Sequence, residues 1–150
     1  MLRRASGNMY KQGWKNLFTW NPLGGGPCFH DCGYCYSTRM QKQNEVVGNA
    51  YSGDFRLSKS IDDNHGENRT IFVSSMTDLF ANNVPSNLIN DILDKCKSFN
   101  NKYLFQSKNP QRFLEFTYPN KTILATTIES DRVYKDTNAP NPNDRVTYCV

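Results

Sequence analysis

Long apolar runs are missing from this sequence, and none approaches the roughly 18 consecutive residues that a membrane-spanning helix needs. The N-terminus is basic at Arg3 and Arg4, but no apolar stretch follows, so we expect neither a signal peptide nor a membrane anchor. Internal repeats and low-complexity tracts are also missing. Disorder is excluded in turn, because 37% hydrophobic and 13% aromatic residues can repay the entropy lost on folding.

The chain has five cysteines, and they are unevenly placed. Cys28, Cys32 and Cys35 lie together, whereas Cys96 and Cys149 stand alone. The odd count and the tight cluster argue against a disulfide framework. We therefore expect a reducing compartment, the cytoplasm, and a metal or catalytic site in the cluster.

Apolar runs predict four β-strands separated by helices. The strands are expected at 17–20, 70–74, 103–106 and 122–128, because these runs are rich in β-branched and aromatic residues. Helical spacing predicts helices from 36 to about 43, behind Pro85, and from 110 to 116. A short extra strand is expected around 55–57, and residues 136–145 are expected to form a turn-rich loop. The alternation predicts an α/β fold with a parallel sheet.

The length sets the extent of that fold. A chain of 150 residues is one domain, 1–150, but a complete (β/α) barrel typically needs about 250 residues. Four strand–helix units at roughly 30 residues each make half to two-thirds of a barrel. We therefore expect a partial barrel with about four parallel strands and helices outside. Either this open half-barrel works with a partner, or its C-terminal part is missing from this chain, and we favour the missing part.

The cysteine cluster has the spacing Cys-x3-Cys-x2-Cys. Thiolates select zinc, copper(I) or iron–sulfur clusters. A structural zinc site normally takes two pairs of ligands, and no second pair follows; His30 lies too close between two cysteines, and His65 has no ligand-like neighbour. Three thiols suit a [4Fe–4S] cluster that leaves one iron open, and the glycines at 24–26 are expected to let backbone N–H groups approach its sulfurs. Cys96 is expected to be a buried, inert thiol, although Cys96 or Cys149 remains an alternative fourth ligand.

Polar side chains follow the predicted strands on one rim of the sheet. Ligands of parallel α/β folds bind at the carboxyl ends of strands. Besides the cysteines, these ends present Ser74, Ser75, Asp78, Ser107, Lys108, Thr127 and Glu129.

The cysteine spacing, with Tyr34 before the last cysteine, resembles the cluster motif of the radical S-adenosylmethionine (SAM) superfamily. The wider set of motifs resembles a phage-associated radical-SAM family of unknown function that is similar to spore photoproduct lyase. These motifs are TWNP at 19–22, FVSSMTDLF at 72–80, FQSKNP at 105–110 and TTIES at 126–130. The resemblance covers residues 14–132.

This resemblance implies a function. Cys28, Cys32 and Cys35 would hold a [4Fe–4S] cluster that reductively cleaves SAM to methionine and a 5′-deoxyadenosyl radical. Ser74 and Ser75 correspond to the strand end that binds the SAM amino group, and Asp78 would reinforce that contact. We assign Lys108 to the SAM carboxylate and Glu129 to the ribose hydroxyls or the methionine end.

Net charge bears on the partners. Residues 1–60 carry eight Lys or Arg against three acids, whereas residues 61–150 carry ten against eleven. The basic portion and the likeness to spore photoproduct lyase favour a nucleic-acid substrate. Basic residues would equally suit an electron donor such as flavodoxin or ferredoxin. Two alternatives stay open: a non-catalytic zinc- or iron–sulfur-binding module, and an inactive fragment of a radical-SAM enzyme.

Overall fold

The computed structural model describes residues 2–5, 14, 16–129, 132–133 and 135–148, and its main feature is a five-stranded mixed sheet. The strands of this sheet are β1 (Arg3–Arg4), β2 (Leu17–Trp20), β5 (Thr70–Val73), β6 (Lys102–Ser107) and β7 (Thr122–Thr126), in the order β1-β2-β5-β6-β7. Strands β2, β5, β6 and β7 are parallel, as predicted. Strand β1, which the sequence did not predict, adds an antiparallel edge to β2, so the sheet as a whole is mixed.

Helices and short strands fill the connections. The α-helices are α1 (Tyr36–Gln43), α2 (Glu45–Ala50), α3 (Ser86–Lys97) and α4 (Pro142–Thr147), and the 3₁₀ helices are η1 (Lys59–Asp62) and η2 (Pro110–Glu115). Strands β3 (Leu23–Gly24) and β4 (Arg56–Leu57) pair as a separate antiparallel ribbon. Helices α1 and α3 and strand β4 confirm the predictions. The predicted loop at 136–145 was wrong at its end, where Pro142 starts α4 with a φ suited to a first helical turn.

The four parallel strands follow one another without reversal. Each strand lies beside the one before it in the chain, which is the strand order of a (β/α) barrel and differs from a doubly wound sheet, where the order reverses. Among the described residues the sheet does not close, so the partial barrel remains a prediction.

The main core lies between one face of the sheet and helix α3. Alternate strand residues such as Ile71, Val73 and Phe105 pack against the helix, whose apolar side is fully buried. Burying a side chain such as Ile89 or Leu93 contributes about 1.5–3 kcal/mol. Cys96 belongs to this core at 0% exposure, which confirms it as a buried thiol. Burial raises the pKa of that thiol well above its ordinary value.

A second, smaller cluster covers the opposite face. It contains Leu17, Phe72 and Leu104, with Ile123 and Ala125 packed beside them. Because side chains alternate along a strand, these residues point away from α3. At the carboxyl ends of the strands, this face opens into the pocket described below.

Candidate functional site

One pocket joins the cysteine loop to the carboxyl ends of the strands. It has a volume of about 260 Å³ and is lined by residues of the cysteine loop, of α1 and of the ends of β5, β6 and β7. Cys28, Cys32 and Cys35 all line it, and so do Ser74, Ser75, Asp78 and Lys108. The volume is slightly below the usual range of small-molecule sites, about 300–1,000 Å³. Most of the candidate residues that were predicted from the sequence therefore lie in one pocket of the structure.

Asp78 connects the cysteine loop to the sheet. Its Oδ2 accepts hydrogen bonds from His30 Nε2 (2.9 Å), Ser107 Oγ (3.0 Å) and the Lys108 backbone N–H (2.8 Å). Its Oδ1 accepts from the Phe80 N–H at 3.0 Å. Oδ2 therefore already accepts three bonds, whereas Oδ1 accepts one and keeps a second lone pair. A direct contact between Asp78 and a SAM ammonium group would have to be made at Oδ1.

His30 lies between two cysteines and is 2% exposed. Because a carboxylate oxygen can only accept, His30 Nε2 is the donor of its hydrogen bond to Asp78. Nδ1 is buried and has no hydrogen-bond partner among the described residues. From the sequence, His30 was considered only as a zinc ligand. Its position between two cysteines of the loop was the sequence feature that could have indicated a structural role.

The turn after β5 presents Ser74 and Ser75 differently. Ser74 has a left-handed φ of 58°, which is uncommon for a residue with a side chain. Ser74 lines the pocket, and its hydroxyl is buried and has no hydrogen-bond partner among the described residues. The Ser75 hydroxyl donates to Asn21 Oδ1 at 3.2 Å, so it holds the turn against the end of β2.

Helix α1 is tied to the same turn. The Tyr36 hydroxyl donates to the Ser75 carbonyl, and the Ser37 hydroxyl donates to the Met76 carbonyl. Because α1 begins directly after Cys35, these bonds fix the end of the cysteine loop relative to the sheet.

Lys108 and Glu129, assigned to different parts of SAM, pair with each other. Lys108 Nζ bonds to Glu129 Oε1 and donates to the Tyr34 hydroxyl at 2.8 Å. Glu129 Oε2 accepts from Arg145 at 3.2 Å. Burial is the main cause that lowers the pKa of Lys108, and negative charge on Cys32 would oppose this shift.

A late segment of the chain covers the cysteine loop. The Asn138 N–H donates to the His30 carbonyl at 2.8 Å, and the Gly33 N–H donates to the Asp136 carbonyl at 3.2 Å. Arg145, 1% exposed, anchors α4 through the carbonyls of Thr127 (2.8 Å) and Pro140 (2.6 Å). Sequence reasoning missed this segment because turn-rich composition carries no information about long-range contacts.

All three cysteines of the loop line the pocket, and thiolates are ligands for zinc, copper(I) or iron–sulfur clusters. Cys32 is buried, and Cys28 and Cys35 are half-buried. Burial, with the nearby charge of Asp78, raises the pKa of Cys28 to about 11, so metal binding must displace a proton there. Within the described residues, no three His, Cys, Asp or Glu side chains surround a single metal-ion position. A site for a single metal ion differs from a four-iron cluster, because in the cluster each thiolate binds its own iron.

The glycine N–H groups were expected to approach the cluster, which was wrong for Gly25 and Gly26: they donate to the carbonyls of Ala50 (2.9 Å) and Gly53 (3.0 Å). Cys96 lies in the core behind the sheet rather than in the pocket, and Cys149 lies outside the described residues. His65 is buried beside Trp20, with Nδ1 2.9 Å from the Tyr103 hydroxyl, and is not part of the pocket.

Comparison with known proteins gives a family but no activity. The model of the family DUF5131, described as a protein of unknown function, matches residues 13–141. The chain therefore belongs to the DUF5131 family. Neither the curated proteins nor the solved structures contain a match.

Proposed function

We propose that this protein is a radical-SAM enzyme that holds a [4Fe–4S] cluster through Cys28, Cys32 and Cys35. The observation that carries the proposal is the single pocket that these three thiols share with the carboxyl ends of parallel strands. Two buried polar atoms without a partner among the described residues, Ser74 Oγ and His30 Nδ1, belong to residues that line it. Buried polar groups in native proteins are normally satisfied, so these atoms support a polar ligand in the pocket.

When bound, the cluster and SAM supply reductive cleavage of the sulfonium to methionine and a 5′-deoxyadenosyl radical that takes hydrogen from a substrate. The chain's own residues would bind and orient the cluster and SAM, and they would exclude water from the pocket. The His30–Asp78 pair holds the cysteine loop against the end of β6, and α1 holds it against the turn after β5. Cys28 must lose its proton before it can act as a ligand.

The paired charges at the rim are our candidates for two polar parts of SAM. Lys108 is our candidate for the SAM carboxylate, and it keeps its bond to Tyr34 if it turns from Glu129. Glu129 is our candidate for the ribose hydroxyls or the methionine end, and it keeps its ion pair with Arg145. Ser74 has the available hydroxyl for the SAM amino group, whereas Ser75 and Asp78 position the turns on which it sits.

Partners and location follow from the same chemistry. A reduced cluster needs an electron donor, for which a flavodoxin or a ferredoxin is our proposal, and three ligand thiols require a reducing compartment such as the cytoplasm. Nucleic acid is our proposed substrate class, and the basic N-terminal portion supports it. Binding to DNA should then weaken as salt rises, and binding without salt dependence would count against this substrate class.

No helix of the described residues is long and apolar enough to span a membrane.

Anaerobic reconstitution with iron and sulfide tests the proposal. The wild-type chain should take up about four irons with broad visible absorption, and should form 5′-deoxyadenosine after addition of dithionite and SAM. Replacement of Cys28, Cys32 and Cys35 by alanine should abolish iron uptake. The matched control, Cys96→Ala, removes a thiol outside the pocket and should retain it.

Three results would contradict the proposal. The first is a wild-type chain with neither a cluster band nor 5′-deoxyadenosine. The second is unchanged iron content in the triple variant. The third is one equivalent of zinc without colour, which would identify the non-catalytic zinc-binding module instead.

A further inference from the structure

The segment over the cysteine loop brings one hydroxyl group to a cysteine sulfur. Thr137 Oγ1 lies 3.2 Å from Cys32 Sγ, within hydrogen-bonding distance for sulfur. The same oxygen lies 2.9 Å from the His30 carbonyl and 3.1 Å from the Ala139 N–H. The hydroxyl is therefore held from three sides at a defined position above the loop.

The hydrogen count of this contact changes when a metal replaces the thiol hydrogen. In the thiol form, Cys32 can donate to Thr137 Oγ1, while Thr137 donates to the His30 carbonyl. A metal-bound sulfur has no hydrogen and can only accept. The Thr137 O–H is then the donor available to it at this contact.

The cost of redirecting that O–H is small. The His30 carbonyl also accepts the Asn138 N–H at 2.8 Å, so it stays satisfied when Thr137 turns to the sulfur. The Ala139 N–H still donates to the Thr137 oxygen and holds it in place. The backbone next to Cys32 also packs closely against this segment, since a Cβ on Gly33 would lie 2.6 Å from Asp136 Oδ2.

We propose that Thr137 is a positioning residue that donates a hydrogen bond to the metal-bound sulfur of Cys32 and raises the reduction potential of the cluster. Hydrogen bonds to ligand sulfurs stabilise the additional negative charge of the reduced state, and they are among the factors that set cluster potentials. This inference rests on the proposed function. It adds a residue from outside the three-cysteine motif to the metal site.

The test compares cluster reduction potentials in four reconstituted proteins, the wild-type chain and three single variants. Thr137→Val removes the hydroxyl at nearly constant shape, and the potential should shift to a more negative value. Thr137→Ser keeps the hydroxyl, and its potential should remain at the wild-type value. Asn138→Ala is the matched control for the same segment, since its amide donates to the Phe29 carbonyl and not to sulfur. It should also leave the potential unchanged.

Each result decides the question. Equal potentials in wild type and Thr137→Val, at equal iron content, would overturn the inference while leaving the proposed function in place. If Thr137→Val takes up no cluster but Thr137→Ser does, the hydroxyl itself is needed at the site, which supports the inference. If Thr137→Ser also loses the cluster, the side chain acts through packing, and the inference is wrong. A wild-type chain that takes up no iron overturns the proposed function, and the inference with it.

Discussion

Replacing Asp78 by asparagine tests the junction between the cysteine loop and the sheet. The carboxylate is 11% exposed and accepts four hydrogen bonds, three at Oδ2 and one at Oδ1. The amide is best placed with its oxygen at the position of Oδ2, so its NH₂ group faces the Phe80 N–H. That N–H then has no acceptor, which costs about 1–3 kcal/mol.

The remaining three bonds also weaken. A hydrogen bond to a charged group contributes about 1.5–3 kcal/mol, whereas one between neutral groups contributes about 0.5–1.5 kcal/mol. Allowing for local relaxation, we expect Asp78→Asn to lower the free energy of unfolding by about 3–5 kcal/mol. This is a large fraction of the 5–15 kcal/mol that is typical of a domain.

Urea unfolding, followed by circular dichroism and by the fluorescence of the buried Trp20, measures this loss. Asp94→Asn is the matched control, because Asp94 is 70% exposed and pairs only at the surface with Lys97. It should change stability by less than about 1 kcal/mol. If Asp78→Asn and Asp94→Asn are equally stable, Asp78 does not hold the loop to the sheet as the geometry indicates.

Two further predictions concern pH and backbone conformation. Burial, with a contribution from nearby Lys95, lowers the pKa of His65 from 6.5 to about 4, so the unfolded chain binds the proton first as pH falls. The stability that neutral His65 contributes is present above pH 6.5 and is lost towards pH 4, by up to about 3 kcal/mol. Urea midpoints of wild type and His65→Gln should therefore converge over this range, and a difference independent of pH would contradict the shift. Gly25→Ala should cost more than about 3 kcal/mol, because φ is +81° and the new Cβ would overlap with the Asp54 carbonyl. Gly53→Ala, with φ +72° but open space around it, should cost only about 1 kcal/mol. Urea unfolding of both variants measures the two losses, and equal losses would show that the overlap at Gly25 is relieved.

The parallel strands were predictable because each is a dense apolar run. Strand β5 is buried at Ile71, Phe72 and Val73, so both faces are covered and the sequence shows a continuous hydrophobic stretch. Strands β1 and β3 have two residues each, too short for any periodicity, and they depend on pairing with distant segments. Such elements are determined by tertiary contacts rather than by local composition.

The site divides in the same way. The cysteines and the strand-end residues were predictable, because spacing and strand ends are local properties of the sequence. The roles of Asp78 and Arg145 were not, because both depend on partners far along the chain: Asp78 on His30 and Ser107, and Arg145 on Thr127. Arg145 is charged yet 1% exposed, and only the carbonyls and the carboxylate around it account for its burial.

The contact between Thr137 and Cys32 also has a consequence for synthesis in the cell. The two residues are 105 positions apart, so Cys32 leaves the ribosome long before the segment that covers it. At about 5–20 residues per second, that interval lasts about 5–20 s. During this time the thiols of the loop lack the segment that covers them and are exposed to oxidation, so a reducing environment protects them until Thr137 and its neighbours have been made.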